Sequence, residues 1–406
     1  MRLHLTPGPG QPDLLDLPWS TPLERWPADR LVALPRGISR HAGRVYAIKE
    51  IPRQIAEREY RMLRGLARRD IPVVEAVGVV TDRRDGEEDE SLEAALVTRH
   101  LQFSLPYRAL FCYRLEPQMT SKLLDALVEM LVRLHLAGFY WGDCSLSNTL
   151  FRRDAGALEA YLVDAETGEL HLGVSDGQRA YDLEIAVENI AGELLDPGID
   201  PVEMALDVRE RYESLWNELT REEVFAADER YRIDGRLCRL NQLGYDVGEI
   251  QIHADETGER LVLRTQVVEP GHNRRRMEQL AGLSVQENQA RRLAADLDCF
   301  QAAKYPHGDP PSAAVVARRW LTEAFEPVVR MVPTELRGKL EPAEIYHEVL
   351  EHRWYLSERS RRDVDLFEAA RDYIDSELVH RPDERAVLTP RSMLRGSESD
   401  KMAPTT

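Results

Sequence analysis

FYWGDCSLSNTLF (residues 139–151), followed after a polar turn by AYLVDAETGEL (residues 160–170), sets three polar residues, Asp143, Asn148 and Asp164, at a telling spacing. In phosphoryl transfer an Asp orients the acceptor hydroxyl, an Asn five positions on holds a divalent cation, and an Asp on the next hairpin holds the metal against the phosphates. The order and offsets here are the same, so Asp143 reads as the candidate catalytic residue and Asn148 with Asp164 as the candidate metal ligands. An Asn/Asp turn would explain any one of the three. It does not explain their flanks.

Upstream, residues 121–135 carry Leu124, Leu127, Val128, Leu131 and Leu134 at helical spacing, and Gly138 follows as a stop. Downstream, Thr149–Phe151 and Ala160–Val163 read as two short strands joined by an Arg-Arg-Asp-Ala-Gly turn, delivering Asp164. Cys144, beside Asp143, reads as a small hydrophobe filling space.

Nearer the N-terminus, Arg44-Val-Tyr-Ala-Ile-Lys49 alternates like a strand and ends on one of only five lysines in the chain. A compact ammonium suits a nucleotide phosphate and an acidic partner in a tight cleft. That partner belongs on the next helix, residues 53–68, where Ile55, Glu59, Met62, Leu63 and Leu66 share one face. Glu59 falls inside the apolar stripe and so needs a cation. Glu57 lies about 200° away around the helix and faces solvent. Lys49 is therefore expected to hold phosphates and Glu59 to hold Lys49.

The 406 residues exceed one ordinary domain. The expected division is an extended, Pro-rich arm over 1–30 carrying Trp19 and Trp26, a first domain over 31–198, a second over 199–380, and a disordered tail over 381–406. In the first domain, strands over 31–51, near 73–80 and over 94–100 accompany the Glu59 helix, with 82–90 as a solvated hairpin loop and 97–101 as the adenine-pairing hinge. A helix over 180–195 then closes a short lower lobe. In the second, a charged helix over 203–225, a helix over 228–243 and a hairpin of 249–253 with 260–268 precede helices to about residue 379. The fold class is α+β, a protein-kinase-like two-lobed domain with a reduced lower lobe, then a mostly helical C-terminal domain containing a β-hairpin.

A net charge of −18 argues against a general affinity for nucleic acid or anionic membrane. No apolar run is long enough to span a bilayer, and the N-terminus lacks a signal-peptide layout, so the expected location is cytoplasmic. The four cysteines are isolated, which excludes a zinc ribbon and fits free thiols. His347 and His352 are five apart, not the four a zinc-peptidase helix needs.

VYAIKE, AEREYRML, LHLAGFYWGDCSLSN and LVDAE together resemble the small atypical kinases, the RIO kinases and the lipopolysaccharide (Kdo/WaaP-type) kinases. The runs over 267–293 and 342–359 look like the C-terminal domain of unknown function found in actinobacterial forms of the latter. The resemblance implies ATP and Mg2+ as cofactors, a nucleotide and an unidentified hydroxyl acceptor as partners, and a kinase reaction. Three departures accompany it. Trp141-Gly142 stand where His-Arg is usual, Asp164-Ala-Glu166 replaces Asp-Phe-Gly, and the stretch around Gly37 and Gly43 is no full glycine loop, leaving phosphate contacts to Ser39 and backbone amides. A pseudokinase that binds nucleotide or acts as a scaffold without transfer is the alternative. The second domain is expected to select the acceptor and to pack against the helix over 180–195. Its Arg274, Arg275 and Arg276 read either as a solvated helix start paired with the chain's many carboxylates or as a cluster near the cleft, where an anionic acceptor would meet them.

Overall fold

The computed structural model describes residues 2–5, 14–26, 31–32, 38–41, 44–87, 90–112, 118–194, 200–221, 223–226, 235, 239–240, 243, 245–247, 250–254, 260–265, 268–306 and 311–385. The upper lobe is built from β1 (Arg2–Leu5), β2 (Leu31–Val32), β3 (Ile38–His41), β4 (Arg44–Ile51), helix α1 (Arg53–Ala67), β5 (Ala76–Thr81), the short pair β6 (Arg83–Arg84) and β7 (Ser91–Leu92), and β8 (Ala94–Arg99). Six of these strands form one antiparallel sheet in the order β1-β5-β8-β4-β3-β2. Side chains alternate across a sheet, and the two faces bury different partners. Tyr46, Ile48, Ala95 and Val97 pack with Leu14, Leu17, Trp19 and Trp26 of the N-terminal segment, while Val79, Ala94 and Leu96 pack with Ala56 of α1. Lys49 sits opposite Leu96 in the β4–β8 register, so it shares the α1 face.

The loop expected to be solvated over 82–90 is instead partly buried. Arg83 donates to the carbonyls of Trp19, Thr21 and Glu93 and to the Glu50 carboxylate at 2.6 Å. A guanidinium offers five donors, so it can tie the segment around Trp19 and Trp26 to the sheet. Charge alone suggested exposure; the docked segment supplies the acceptors.

The lower lobe follows: β9 (Ser104–Pro106), α2 (Tyr107–Cys112), α3 (Met119–Leu136), β10 (Phe139–Tyr140), β11 (Thr149–Asp154), β12 (Ala157–Leu162), β13 (Glu169–Leu170), α4 (Asp176–Leu194) and α5 (Pro201–Thr220). α3 stops at Leu136, two residues before Gly138, whose φ of +79° and whose 2.4 Å approach of the His171 carbonyl to any Cβ leave no room for a side chain. Both strands of the hairpin are longer than the sequence suggests. Arg152, Arg153 and Asp154 are strand residues paired with Glu159, Leu158 and Ala157, and only Ala155 and Gly156 turn, both at positive φ.

Met204, Val208, Tyr212 and Leu219 of α5 belong to the same apolar core as α3 and α4, so that core runs past residue 198. The short lower lobe leaves an apolar face on α4, and α5 covers it. α5 itself stops at Thr220; Arg221 is extended, and Glu223–Ala226 forms β14 in place of the expected last helical turn. Val224 and Phe225 are strand formers, and β17 offers them an edge. β15 (Tyr245–Val247) pairs with β18 (Val268–Pro270), and β16 (Ile250–Ala254) with β17 (Arg260–Thr265) as the expected hairpin. Most of the helix expected over 228–243 and the tail from 386 lie outside the described residues.

The second core is helical: α6 (His272–Ala281), α7 (Glu287–Lys304), α8 (Ala313–Trp320), which runs through a π-helical turn into α9 (Glu326–Met331), α10 (Pro342–Ser360) and α11 (Leu366–Ser376). Trp320, Phe325 and Tyr346 cluster at its centre. His347 and His352 lie on α10, His352 against Asp372 at 2.6 Å. Among the described residues no helix is long and apolar enough to cross a membrane.

A buried carboxylate at the junction of the two parts is expected to make stability pH-dependent. Burial, against hydrogen bonds from the Ala155 amide and Gln289, pushes Glu344 up to about 7. A carboxyl raised on folding contributes stability that is present at low pH and lost as pH rises through its folded value. The Glu344→Gln variant should therefore melt close to wild type at pH 5 and above it at pH 8. Thermal melts at the two pH values check this, and a variant that loses the same amount at both would refute it.

Candidate active site

β4 presents Lys49 toward α1, where Glu59 is 2% exposed beside Ala56, Leu63 and Leu66. Lys49 Nζ lies 3.3 Å from Glu59, 2.7 Å from Asp164 and 2.8 Å from Glu166. Glu57 pairs with Arg53 on the outer surface. Burial works against the Lys49 charge, but hydrogen bonds to Asp164 and Glu166 outweigh it and hold the ammonium well above its ordinary range. Glu59 is pushed up to about 7 by burial and by the Asp164 charge, with Lys49 opposing. One cation thus faces three carboxylates whose oxygens all lie within 4.8 Å of one another.

Asp143 stands on the neighbouring loop. Asn148 Nδ2 donates to its carboxylate at 2.8 Å and to its carbonyl at 3.2 Å, and Asn189 Nδ2 from α4 donates to the other carboxylate oxygen at 3.2 Å. Two amides therefore fix the carboxylate while each oxygen keeps a lone pair for a substrate proton. Asn148 spends its N–H groups on Asp143 and has its amide oxygen to offer a cation. Together with the Asp164 and Glu166 carboxylates this is a hard oxygen donor set, which fits Mg2+ better than a thiophilic metal.

The loop itself is held from behind. Asp182 of α4, fully buried, accepts from the backbone amides of Trp141 at 2.7 Å and Gly142 at 2.8 Å, and from His135 at 3.0 Å. Burial lowers the His135 pKa; the neutral ring donates from Nε2 to Asp182 and accepts from the Tyr212 hydroxyl of α5 at 2.6 Å. Glu193, three turns further along α4, accepts from the amides of Leu146 and Ser147 at 2.7 and 3.0 Å. Asp182, Asn189 and Glu193 are spaced seven and four apart, so one helix face clamps the whole loop. The Trp141 indole donates to the Asp164 carbonyl at 3.0 Å, joining that loop to the metal hairpin. Gly142, at φ +73°, would bring a Cβ to 3.0 Å from the Tyr140 ring.

The sequence reading missed Asp182, Asn189, Glu193 and Glu166. Asp182 was findable, being a carboxylate beside the apolar stripe of Leu183, Ala186 and Ile190, the same signal that singled out Glu59. Ser39 lies on β3 opposite Tyr46, and its side chain, like Gly37 and Gly43, falls outside the described residues. The arginine cluster makes ion pairs. Arg274 and Arg275 engage Asp70, just beyond α1, and Arg276 engages Asp298 at 3.1 Å. The pairs to Asp70 join the two parts and the Arg276–Asp298 pair lies within the second, as the ion-pair reading of the cluster has it.

Residues 35–185 match the lipopolysaccharide kinase (Kdo/WaaP) family, and residues 214–378 match DUF4032, a domain of unknown function. No curated protein matches the chain. Among solved structures a similar one is described as WaaP in complex with acyl carrier protein, at 19% identity and a TM-score of 0.36, covering 60% of this chain and 98% of that one. The first part of the chain is thus similar to a kinase family and the second to a domain of unknown function, and the two matches agree with the resemblance drawn from its motifs. The kinase family implies use of a nucleotide, typically with a divalent metal.

Proposed function

We propose that this protein is an ATP- and magnesium-dependent phosphotransferase that acts on a hydroxyl acceptor in the cytoplasm. The observation that carries this reading is the convergence of Lys49, Asp164 and Glu166 beside an Asp143 whose carboxylate is held by two amides. Lys49 would bind the nucleotide phosphates, with Glu59 holding the ammonium when Asp164 and Glu166 turn to the metal. Asn148 and Asp164 would hold the Mg2+, with Glu166 as a third oxygen donor. Bound there, the metal would neutralise phosphate charge and so favour transfer. Asp143 would accept the acceptor's hydroxyl proton as the new O–P bond forms and ADP departs. The positive charge that Lys49 contributes matters most in such a half-buried cleft, where water screens it least.

ATP with Mg2+ should raise the melting temperature, because a ligand bound only by the native state stabilises it by about 2.7 kcal/mol at a hundredfold excess over Kd. Asp164→Asn should remove most of the metal-dependent part. Absence of any shift at millimolar ATP with either Mg2+ or Mn2+ would remove the nucleotide site. A shift with no transfer to any acceptor, and equal slow ATP turnover in wild type and Asp143→Asn, would mark a pseudokinase.

A further inference from the structure

The β11–β12 hairpin begins directly after Asn148 and ends two residues before Asp164, and the Val163 amide closes its base on the Asn148 carbonyl at 3.0 Å. Whatever fixes the far end of this hairpin therefore fixes the pair of residues that would hold the metal. That far end is gripped by the second domain. The Asp154 carboxylate, 2% exposed, accepts from the backbone amides of Asn288 at 3.1 Å and Gln289 at 2.7 Å, and from the Asn288 side chain at 3.0 Å. The Ala155 amide donates to Glu344 at 2.9 Å, and Gln289 Nε2 donates to the Arg153 carbonyl at 3.0 Å and to Glu344 at 2.9 Å. Arg153 pairs with Glu384 and Arg152 with Glu341. These partners come from α7, from α10 with its N-cap, and from the segment beyond α11, which are separate parts of one helical core.

A second route leads to the same place. Arg274 and Arg275 of α6 hold Asp70 at the end of the Glu59 helix, and the chain from there pairs with the base of the hairpin: Val74 N donates to the Leu162 carbonyl and Leu162 N to the Pro72 carbonyl, both at 3.0 Å. The second domain thus touches the helix that carries Glu59 and the hairpin that carries Asp164. These are the two elements whose separation sets the distance from Glu59, the partner of Lys49 on β4, to the metal ligands.

We infer that the C-terminal domain is a positioning element of the phosphotransfer site, and that its grip on Asp154 at the hairpin tip sets the affinity for the metal–nucleotide pair. This rests on the nucleotide reading proposed above. Asp154 touches neither substrate nor metal; it acts through the hairpin. A backbone held at both ends by buried hydrogen bonds presents its ligands pre-placed, and loosening one end makes the metal do the ordering.

The test uses the full chain and two variants. Asp154→Asn keeps size but turns an amide N–H2 toward the donors of Asn288, and Asn288→Ala leaves the hairpin untouched. Mn2+–ATP affinity, ADP affinity in chelator and hydrogen exchange over residues 143–164 are compared with wild type. The expected result is a Kd for Mn2+–ATP raised on the order of tenfold by Asp154→Asn and less by Asn288→Ala, with metal-free ADP binding unchanged and exchange faster at the hairpin. Should Asp154→Asn fail to fold, Asn288→Ala still carries the comparison. Faster exchange with Mn2+–ATP affinity unaltered, or exchange unaltered in both variants, overturns the inference and leaves the contacts as a docking surface only. Wild-type protein that binds no Mn2+–ATP overturns the nucleotide reading, and this inference with it.

Discussion

Asp143→Asn is expected to lower phosphoryl transfer roughly 10³-fold, the range that a positioned general base supplies, while changing nucleotide affinity little. The separation follows from geometry. Asp143 is bound by Asn148 and Asn189, whereas Lys49 is held by Glu59, Asp164 and Glu166, and among the described residues no ion pair joins the two. Substitution at Asp143 therefore removes the proton acceptor without disturbing the charges that would meet the phosphates. Single-turnover transfer and equilibrium nucleotide binding, measured on the same preparation, check the split. A parallel loss of both would mean that Asp143 organises the metal site rather than the acceptor, and an unchanged rate would remove it from the chemistry.

How much of this was legible in the sequence depended on whether a signal was local. Lys49 could be placed because strand alternation gives it one face, to which the register opposite Leu96 corresponds, and Glu59 because a carboxylate in an apolar helical stripe needs a cation. The hairpin was visible, but its length was not, since Arg152, Arg153 and Asp154 look like turn residues until Glu341, Glu384 and the α7 amides arrive from more than a hundred residues away. The arginine cluster stayed open between two readings for a related reason. A run of like charge says that carboxylates are near, and only the tertiary structure chooses Asp70 and Asp298 over a substrate. Glu166 was passed over because it was read as a departure from a motif and not as a second oxygen two residues along from Asp164, facing the same lysine.

The loop clamp leads to the largest stability effect. Asp182→Ala leaves the buried backbone N–H of Trp141, the partly buried one of Gly142 and the His135 Nε2–H without their acceptor, and each such loss costs roughly 1–3 kcal/mol, so about 4 kcal/mol in total is expected. Asp182→Asn should recover about half of that, because its one carbonyl oxygen still accepts while its N–H2 confronts a donor. Glu193→Ala gives the contrast. The amides it serves belong to Leu146 and Ser147, and Ser147 is exposed, so water replaces part of what is lost and the cost should stay near 1 kcal/mol. Urea unfolding of the three variants orders them. If Glu193→Ala proved as costly as Asp182→Ala, the loop would be held by the summed charge of α4 and not by buried hydrogen bonds. The expected order makes Trp141 and Gly142 intelligible where other residues are usual: what Asp182 grips is their backbone, which the substitutions leave in place, while the Trp141 indole adds a bond to the Asp164 carbonyl that ties loop to hairpin.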